Sequence, residues 1–86
     1  MREIMGQGVL ITGGGSGIGE ATARYLTERG AKVTITGRRA DRIAATAAEI
    51  GCNGIAGDVT VAADREAMVE AAVDFAGGSL DCLFNN

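Results

Sequence analysis

The stretch LITGGGSGIGEATARYLTERG, residues 10–30, places five glycines within seven positions between two different apolar patterns. Before the glycines, residues 9–12 form a short apolar run that predicts a strand buried on both faces. After them, apolar residues recur at the spacing of one helix face, and Gly30 is placed to end that helix. The residues of this predicted face are Ile18, Ala21, Thr22, Tyr25 and Leu26. The glycines are therefore predicted to connect a strand to a helix.

Strand and helix patterns continue to alternate along the chain. Residues 32–36, 54–58 and 80–86 predict three further strands. Helices are predicted over residues 41–50 and from the N-cap Thr60 to about residue 76. Their predicted inward residues are Ile43, Ala44, Ala47 and Ile50 in the first, and Val61, Met68, Val69, Ala72, Val73 and Ala76 in the second. This order predicts an α/β fold with a four-stranded parallel sheet and helices on both faces.

Composition and charge exclude several kinds of partner. The 86 residues are 47% hydrophobic and 22% charged, with a net charge of −3, which is typical of one small globular domain. The basic residues form no run interleaved with aromatics, so the sequence predicts no nucleic-acid surface. Since no apolar run approaches the roughly 20 residues that span a bilayer, it predicts no membrane association and a cytoplasmic location.

The chain contains no histidine, which restricts the chemistry that it could support. Cys52 and Cys82 are 30 positions apart and are predicted to be reduced thiols, and no metal site is predicted. Nucleophilic mechanisms that need a histidine base are excluded within these residues.

The glycine-rich turn predicts a phosphate-binding loop, because a helix N-terminus offers free N–H groups and glycines let a phosphate approach the backbone. The alternative is an ordinary tight turn in which glycine only permits positive φ. A P-loop is disfavoured, since Glu20 stands where that motif has lysine. The strict GxGxxG pattern also fails, with Ile18 at its third glycine. The pattern that fits is TGxxxGIG, from Thr12 to Gly19.

With that loop, with GDVT at 57–60 and with NN at 85–86, the sequence resembles the short-chain dehydrogenase/reductase family. The resemblance implies a Rossmann-like fold with strand order 3-2-1-4. It covers all 86 residues but only about the first third of a typical member. Residues 1–86 would then be a single, incomplete domain that binds a dinucleotide.

The resemblance also implies roles for individual residues. The glycines would shape the loop, and the residues around Ser16 would contact the phosphates and ribose. Asp58 would accept a hydrogen bond from the adenine amino group. The Val59 backbone would contact the adjacent ring nitrogen, and Asn85 would contact the adenosine ribose. The alternative for Asp58 is an aspartate that only starts a turn. The full predicted cofactor-binding set is Gly13, Gly15, Ser16, Gly17, Ile18, Gly19, Arg38, Arg39, Asp58, Val59 and Asn85.

The end of the second predicted strand favours NADP over NAD. NAD sites place an acidic residue there to bind the ribose 2′-OH. This chain instead has Gly37, followed by Arg38 and Arg39, and guanidinium groups are suited to a 2′-phosphate. The alternative is that both arginines are only solvated. Asp41 is interpreted as a helix-start residue.

No catalytic residue is predicted. The family uses a serine, a tyrosine and a lysine beyond the fourth strand, and Tyr25 with Arg29 does not replace them, since Tyr25 is predicted to lie in the core. The fourth strand is interior in the family, so its edge is expected to be covered by a second copy or by further polypeptide. The sequence supports three hypotheses of function: the NADP-binding part of an oxidoreductase, a non-catalytic nucleotide-binding module, and a truncated chain without activity.

Overall fold

The structure, a computed structural model, describes residues 4–15 and 17–86. Strands and helices alternate along this part of the chain as β1 (Gly8–Thr12), α1 (Gly17–Glu28), β2 (Lys32–Gly37), α2 (Ala40–Ile50), β3 (Asn53–Ala56), α3 (Ala62–Ala76) and β4 (Cys82–Asn85). The four strands are parallel and lie in the order β3-β2-β1-β4. The predicted fold class and strand order are therefore confirmed.

The core lies in two layers, one on each face of the sheet. Because successive residues of β1 point to opposite faces, Val9 and Ile11 pack with β2, α1 and α2, whereas Leu10 packs with Met68 and Ala72 of α3. The chain moves from β1 outward to β3 and then returns past β1 to β4. With right-handed crossovers, this reversal puts α1 and α2 on one face and α3 on the other. The connections therefore diverge at the carboxyl ends of β1 and β4, where open α/β sheets form a crevice.

The buried face of α1 differs from the predicted one. Tyr25 is 52% exposed and Ile18 is 69% exposed, so the prediction that Tyr25 lies in the core is wrong. The helix packs through Gly19 and Ala23, with Leu26 partly buried against the same core. The reason is the close approach of α1 to β1, since a Cβ on Gly19 would collide with the Gly13 carbonyl oxygen. Small residues, rather than the largest apolar ones, therefore form the contact face.

Three further details correct the predicted elements. The residue that precedes α3 as its N-cap is Val61, without a side-chain cap, because the Thr60 hydroxyl donates to Asp58 instead, at 2.7 Å. Val61 and Val69 are exposed rather than inward. In α2 the buried polar residue is Thr46, whereas Ala44 faces outward.

The strand limits also decide where candidate side chains lie. β3 ends at Ala56, so Asp58 lies in the loop after the strand rather than within it. β4 comprises only Cys82–Asn85, and its last residue pairs in register with Thr12, the last residue of β1. The residues that end or follow the four strands are thereby collected at one edge of the sheet.

Candidate functional site

The glycine-rich loop is fixed to the end of β2. The backbone N–H groups of Gly13 and Gly14 both donate to the Thr36 carbonyl oxygen, at 2.8 and 3.2 Å. Gly13 and Gly17 have φ values of 70° and 61°, in the left-handed region where glycine carries no Cβ penalty. The loop therefore turns sharply away from the sheet and leads into the first turn of α1, where the positive end of the helix dipole lies.

The end of β4 holds the other side of the same loop. The Thr12 hydroxyl donates to Asn85 Oδ1 at 2.9 Å and accepts from the Asn86 N–H at 3.2 Å. The Asn86 side-chain amide donates to the Gly13 carbonyl oxygen at 3.2 Å. The two adjacent asparagines thus connect β4 to both the end of β1 and the first glycine of the loop.

A crevice of about 370 Å³ crosses the carboxyl ends of the strands. Its lining comprises Thr12, Gly13, Thr36, Gly37, Arg38, Gly57, Asp58, Val59, Thr60, Asn85 and Asn86. The Thr36 hydroxyl is fully buried and has no hydrogen-bond partner within the described residues. Because this hydroxyl has no accessible surface, Thr36 lies beneath the crevice and does not itself offer a group to a ligand.

The loop after β3 is held in one conformation by the first turn of α3. The Asp58 N–H donates to Asp64 Oδ2 at 2.8 Å, and the Arg65 guanidinium donates to the Val59 carbonyl oxygen at 2.7 Å. Asp58 Oδ1 accepts from both the N–H and the hydroxyl of Thr60, at 2.9 and 2.7 Å. Its other oxygen lies 3.3 Å from Arg38 Nη2. The Asp58 carboxylate therefore faces the crevice edge in a preorganised loop.

These contacts also determine the charge of the carboxylate. Hydrogen bonds from the Thr60 hydroxyl and N–H, followed by the Arg38 guanidinium, hold the pKa of Asp58 below its usual value. Hydrogen bonds to the charged form of a carboxyl favour that form. Asp58 is therefore an acceptor of hydrogen bonds, not a donor, at neutral pH.

We expect Thr60→Ala to raise the pKa of Asp58 toward that of an ordinary aspartate, because it removes the hydroxyl that lowers this pKa most. A carboxyl whose pKa is lowered by folding stabilises the fold above its unfolded pKa, and this contribution disappears as pH falls through the lowered value. An NMR titration of the carboxyl carbon measures the shift. Thr22→Ala is the control, since that hydroxyl donates to the Ile18 carbonyl. Equal Asp58 pKa values in wild type and Thr60→Ala would show that the Thr60 hydroxyl does not lower the pKa of Asp58.

A second cavity, of about 230 Å³, lies between the glycine loop and the start of α2. It is lined by Gly13, Gly15, Gly37, Arg38, Arg39, Arg42 and Ile43. The Arg42 Nε donates to the Gly15 carbonyl oxygen at 3.4 Å, which places this side chain beside the loop. Three guanidinium groups and no carboxylate line the cavity, so it favours an anion.

The predicted site residues fall into three groups. Those that line the two cavities are Gly13, Gly15, Arg38, Arg39, Asp58, Val59 and Asn85. Gly17 and Ile18 are exposed at the start of α1, and Gly19 is buried beneath the loop. Ser16 lies outside the described residues. The sequence reasoning assigned no role to Arg42, Thr36 or Asn86; of these, only Asn86 carried a signal, as part of the NN pair.

Other kinds of site have less support within residues 4–15 and 17–86. This part of the chain contains no group of acidic or cysteine side chains arranged to hold a metal ion. Cys52 and Cys82 are both free thiols, and burial raises the pKa of Cys52. In the same residues no helix combines the length and apolar character needed to cross a membrane.

Residues 7–86 match the sequence model of the short chain dehydrogenase family. This chain belongs to that family. The match includes both cavities, the glycine loop and the paired asparagines, so the predicted resemblance is confirmed.

Several members of the short chain dehydrogenase family are similar in sequence to most of this chain. Serine 3-dehydrogenase of Agrobacterium fabrum is 46% identical over 82 residues, which cover 91% of this chain and 32% of the relative. The structure of 3-ketoacyl-(acyl-carrier-protein) reductase from Brucella melitensis, complexed with NADH, is 40% identical with a TM-score of 0.86; the match covers 93% of this chain and 34% of that one. A short-chain dehydrogenase/reductase from Caenorhabditis elegans, solved with cofactor, is 30% identical with a TM-score of 0.85 over 95% of this chain and 33% of that one. The chain thus spans about a third of the length of these relatives.

Proposed function

We propose that residues 1–86 are one incomplete Rossmann domain, the NADP(H)-binding N-terminal part of a short-chain oxidoreductase. The observation that carries this proposal is the glycine loop at the reversal point of the sheet, beside a cavity lined by three arginines. In the complete enzyme, the bound cofactor would exchange a hydride with a carbonyl or alcohol substrate. A cytoplasmic location stays a prediction from composition.

The described residues fit a dinucleotide at several points. A Cβ on Gly17 would meet nothing within 4 Å, so the backbone at the start of α1 is open to a pyrophosphate. The adenine would lie along the loop of Asp58 and Val59. Although Asp58 already accepts from Thr60 and Arg38, a carboxylate has about four lone-pair sites and keeps capacity for an amino group. Two relatives of the same fold were solved with NADH or with a cofactor, which supports a dinucleotide as the ligand.

The ribose next to the adenine would lie near Asn85. The Asn85 Oδ1 is engaged by the Thr12 hydroxyl, which leaves its amide N–H groups as the donors proposed for the ribose. The residues along the strand ends thus supply donors and acceptors for the nucleoside half of the cofactor.

Preference for NADP rests on the charge at the end of β2. Gly37 leaves no carboxylate to repel a 2′-phosphate, and Arg38 and Arg39 follow it directly. Arg38 is 76% exposed, and an exposed ion pair such as that with Asp58 contributes little, so its guanidinium can turn to a phosphate. The Brucella reductase was solved with NADH, so the proposal of NADP rests on the residues at the end of β2 and not on that relative.

Arg38→Ala tests this proposal. We expect it to weaken NADPH binding roughly tenfold or more, because hydrogen bonds to charged groups contribute about 1.5–3 kcal/mol, and to leave NADH binding nearly unchanged. Fluorescence titration of both reduced cofactors measures the ratio. Arg29→Ala is the matched control, since it removes the same charge at the far end of α1, about 18 Å along the helix from Gly17. If wild type and Arg38→Ala had the same ratio of NADPH to NADH affinity, Arg38 would not bind the 2′-phosphate.

A second candidate function is cofactor binding without catalysis by this chain. Tyr25 lies on the outer face of α1 with the Arg29 guanidinium 3.5 Å from its ring centroid. Lys32 begins β2, at the opposite end of the strand from the crevice. Neither residue is placed to transfer a proton there. Binding of NADPH without reduction of carbonyl compounds is expected for both candidates, because neither has catalytic residues in this chain. Absence of binding would favour a chain without activity.

The outer edge of β4 is part of the same proposal. β4 is the end strand of the described sheet, and Leu83 on it is 58% exposed. An apolar edge strand is a template for pairing with another strand. We propose that this edge is covered either by a second copy of the chain or by the remainder of the family fold.

A further inference from the structure

We propose that Arg42 is a specificity-determining residue, a third guanidinium that binds the 2′-phosphate and holds it against the glycine loop. This inference rests on the proposed function, because it assigns a residue to the cofactor site proposed above. It concerns a position that neither the TGxxxGIG loop nor the end of β2 contains.

The position of Arg42 on α2 directs its side chain to the loop. Arg42 lies in the first turn of α2, which begins at Ala40. Helical side chains lean toward the N-terminus of their own helix, which here faces the glycine loop. The Arg42 Nε lies 3.4 Å from the Gly15 carbonyl oxygen, so the side chain is directed toward the loop. A Cβ built on Gly15 would lie 3.9 Å from Arg42 Cδ, an ordinary van der Waals distance, so the aliphatic stem of Arg42 lies directly beside the loop.

The charge of Arg42 is not neutralised by a neighbouring carboxylate. Within the part of the chain that the structure describes, no salt bridge joins Arg42 to an acidic side chain, whereas Arg24 pairs with both Glu20 and Glu49. The adjacent Asp41 accepts from the Arg42 backbone N–H, not from its guanidinium. A guanidinium has five N–H donors in a planar fork, and one of them meets Gly15. The two Nη groups are therefore the donors proposed for a phosphate.

The three arginines of the cavity differ in the groups that they contact. Arg38 is shared with Asp58 at the neighbouring crevice, and Arg39 directly precedes α2. Arg42 is attached to the loop itself through Gly15. Arg42 can therefore meet a phosphate without leaving an acidic partner, whereas Arg38 must leave Asp58 to do so. A phosphate on Arg42 would also connect α2 to the loop that receives the pyrophosphate.

Equilibrium titrations of the 86-residue chain with NADP⁺ and with NAD⁺ test the proposal. Arg42→Met keeps the aliphatic stem and removes the charge; we expect it to weaken NADP⁺ binding about tenfold while NAD⁺ binding is nearly unchanged. Arg42→Lys restores a charge without the fork, and we expect an intermediate affinity. Arg29→Ala is the charge-matched control and is expected to leave both affinities unchanged. Thermal unfolding of each variant verifies that it is folded.

The outcomes separate this inference from the proposed function. If wild type binds neither cofactor, the proposed function fails and this inference with it. If wild type prefers NADP⁺ and Arg42→Met keeps the same preference, the proposed function stands and the role of Arg42 is refuted. Equal losses for NADP⁺ and NAD⁺ would also refute it, because they would show that Arg42 only shapes the loop. A loss for NADP⁺ alone, partly recovered in Arg42→Lys, would support it.

Discussion

If NADP is the preferred cofactor as proposed, Gly37→Asp is expected to reverse that preference in favour of NAD. The new carboxylate would lie at the end of β2, in the lining of both cavities, where it would repel a 2′-phosphate and accept a hydrogen bond from a ribose 2′-OH. Placing like charges together across a binding site costs several kcal/mol. We therefore expect the ratio of NADP to NAD affinity to fall by about 100-fold, which corresponds to roughly 3 kcal/mol.

The same substitution has a packing cost that the structure identifies. A Cβ on Gly37 would lie 2.9 Å from Ile43 Cδ1 and 3.1 Å from its Cγ1, and Ile43 is buried in the core between the sheet and α2. Overpacking of this kind costs about 1–3 kcal/mol unless the neighbour moves. Ile43→Val removes Cδ1, so we expect Gly37→Asp with Ile43→Val to unfold at a higher temperature than Gly37→Asp alone.

Gly37→Asn separates charge from shape. The asparagine side chain has nearly the same volume as that of aspartate and would make the same contact with Ile43, but it carries no charge. We expect its stability to resemble that of Gly37→Asp, with only a small change in the ratio of NADP to NAD affinity. If the two variants changed that ratio equally, the charge argument for the end of β2 would be wrong.

The parts of the fold that the sequence predicted are those encoded by local pattern. The run of residues 9–12 is apolar without interruption, as a central parallel strand requires, and β1 is buried along its whole length. Gly30, Gly51 and Gly77, which follow the three helices, all have positive φ. Alternation of strands and helices then leaves few parallel topologies. Sheet order and both helical layers could therefore be anticipated from sequence and family resemblance together.

The parts that were missed depend on contacts between elements distant in sequence. Apolar periodicity assigned Tyr25 to the core because it counts hydrophobic residues, whereas α1 approaches β1 through the small residues Gly19 and Ala23. The contact of Arg42 with Gly15 joins residues 27 positions apart, and that of Asn86 with Gly13 joins residues 73 positions apart. No spacing rule within one element predicts such pairs.

Gly19→Ala is expected to destabilise the chain, although helix propensity alone predicts the opposite. Within a helix, alanine is favoured over glycine by about 1 kcal/mol. At this position, however, the new Cβ would collide with the Gly13 carbonyl oxygen and lie 2.9 Å from Asn86 Nδ2. The carbonyl belongs to the backbone and cannot rotate away, so the start of α1 must move from β1 and lose the packing of Ala23.

Since overpacking costs about 3 kcal/mol at its usual upper limit, we expect a net loss of about 2 kcal/mol in the free energy of unfolding. That is a large fraction of the stability of a domain this small. Urea denaturation measures the loss. Gly15→Ala is the control, because the shortest contact of its Cβ would be 3.3 Å, to Ile43 Cδ1, the end of a flexible side chain. If Gly19→Ala were as stable as wild type, or more so, the gain in helix propensity would outweigh the clash with the Gly13 carbonyl oxygen. Packing would then not require glycine at position 19.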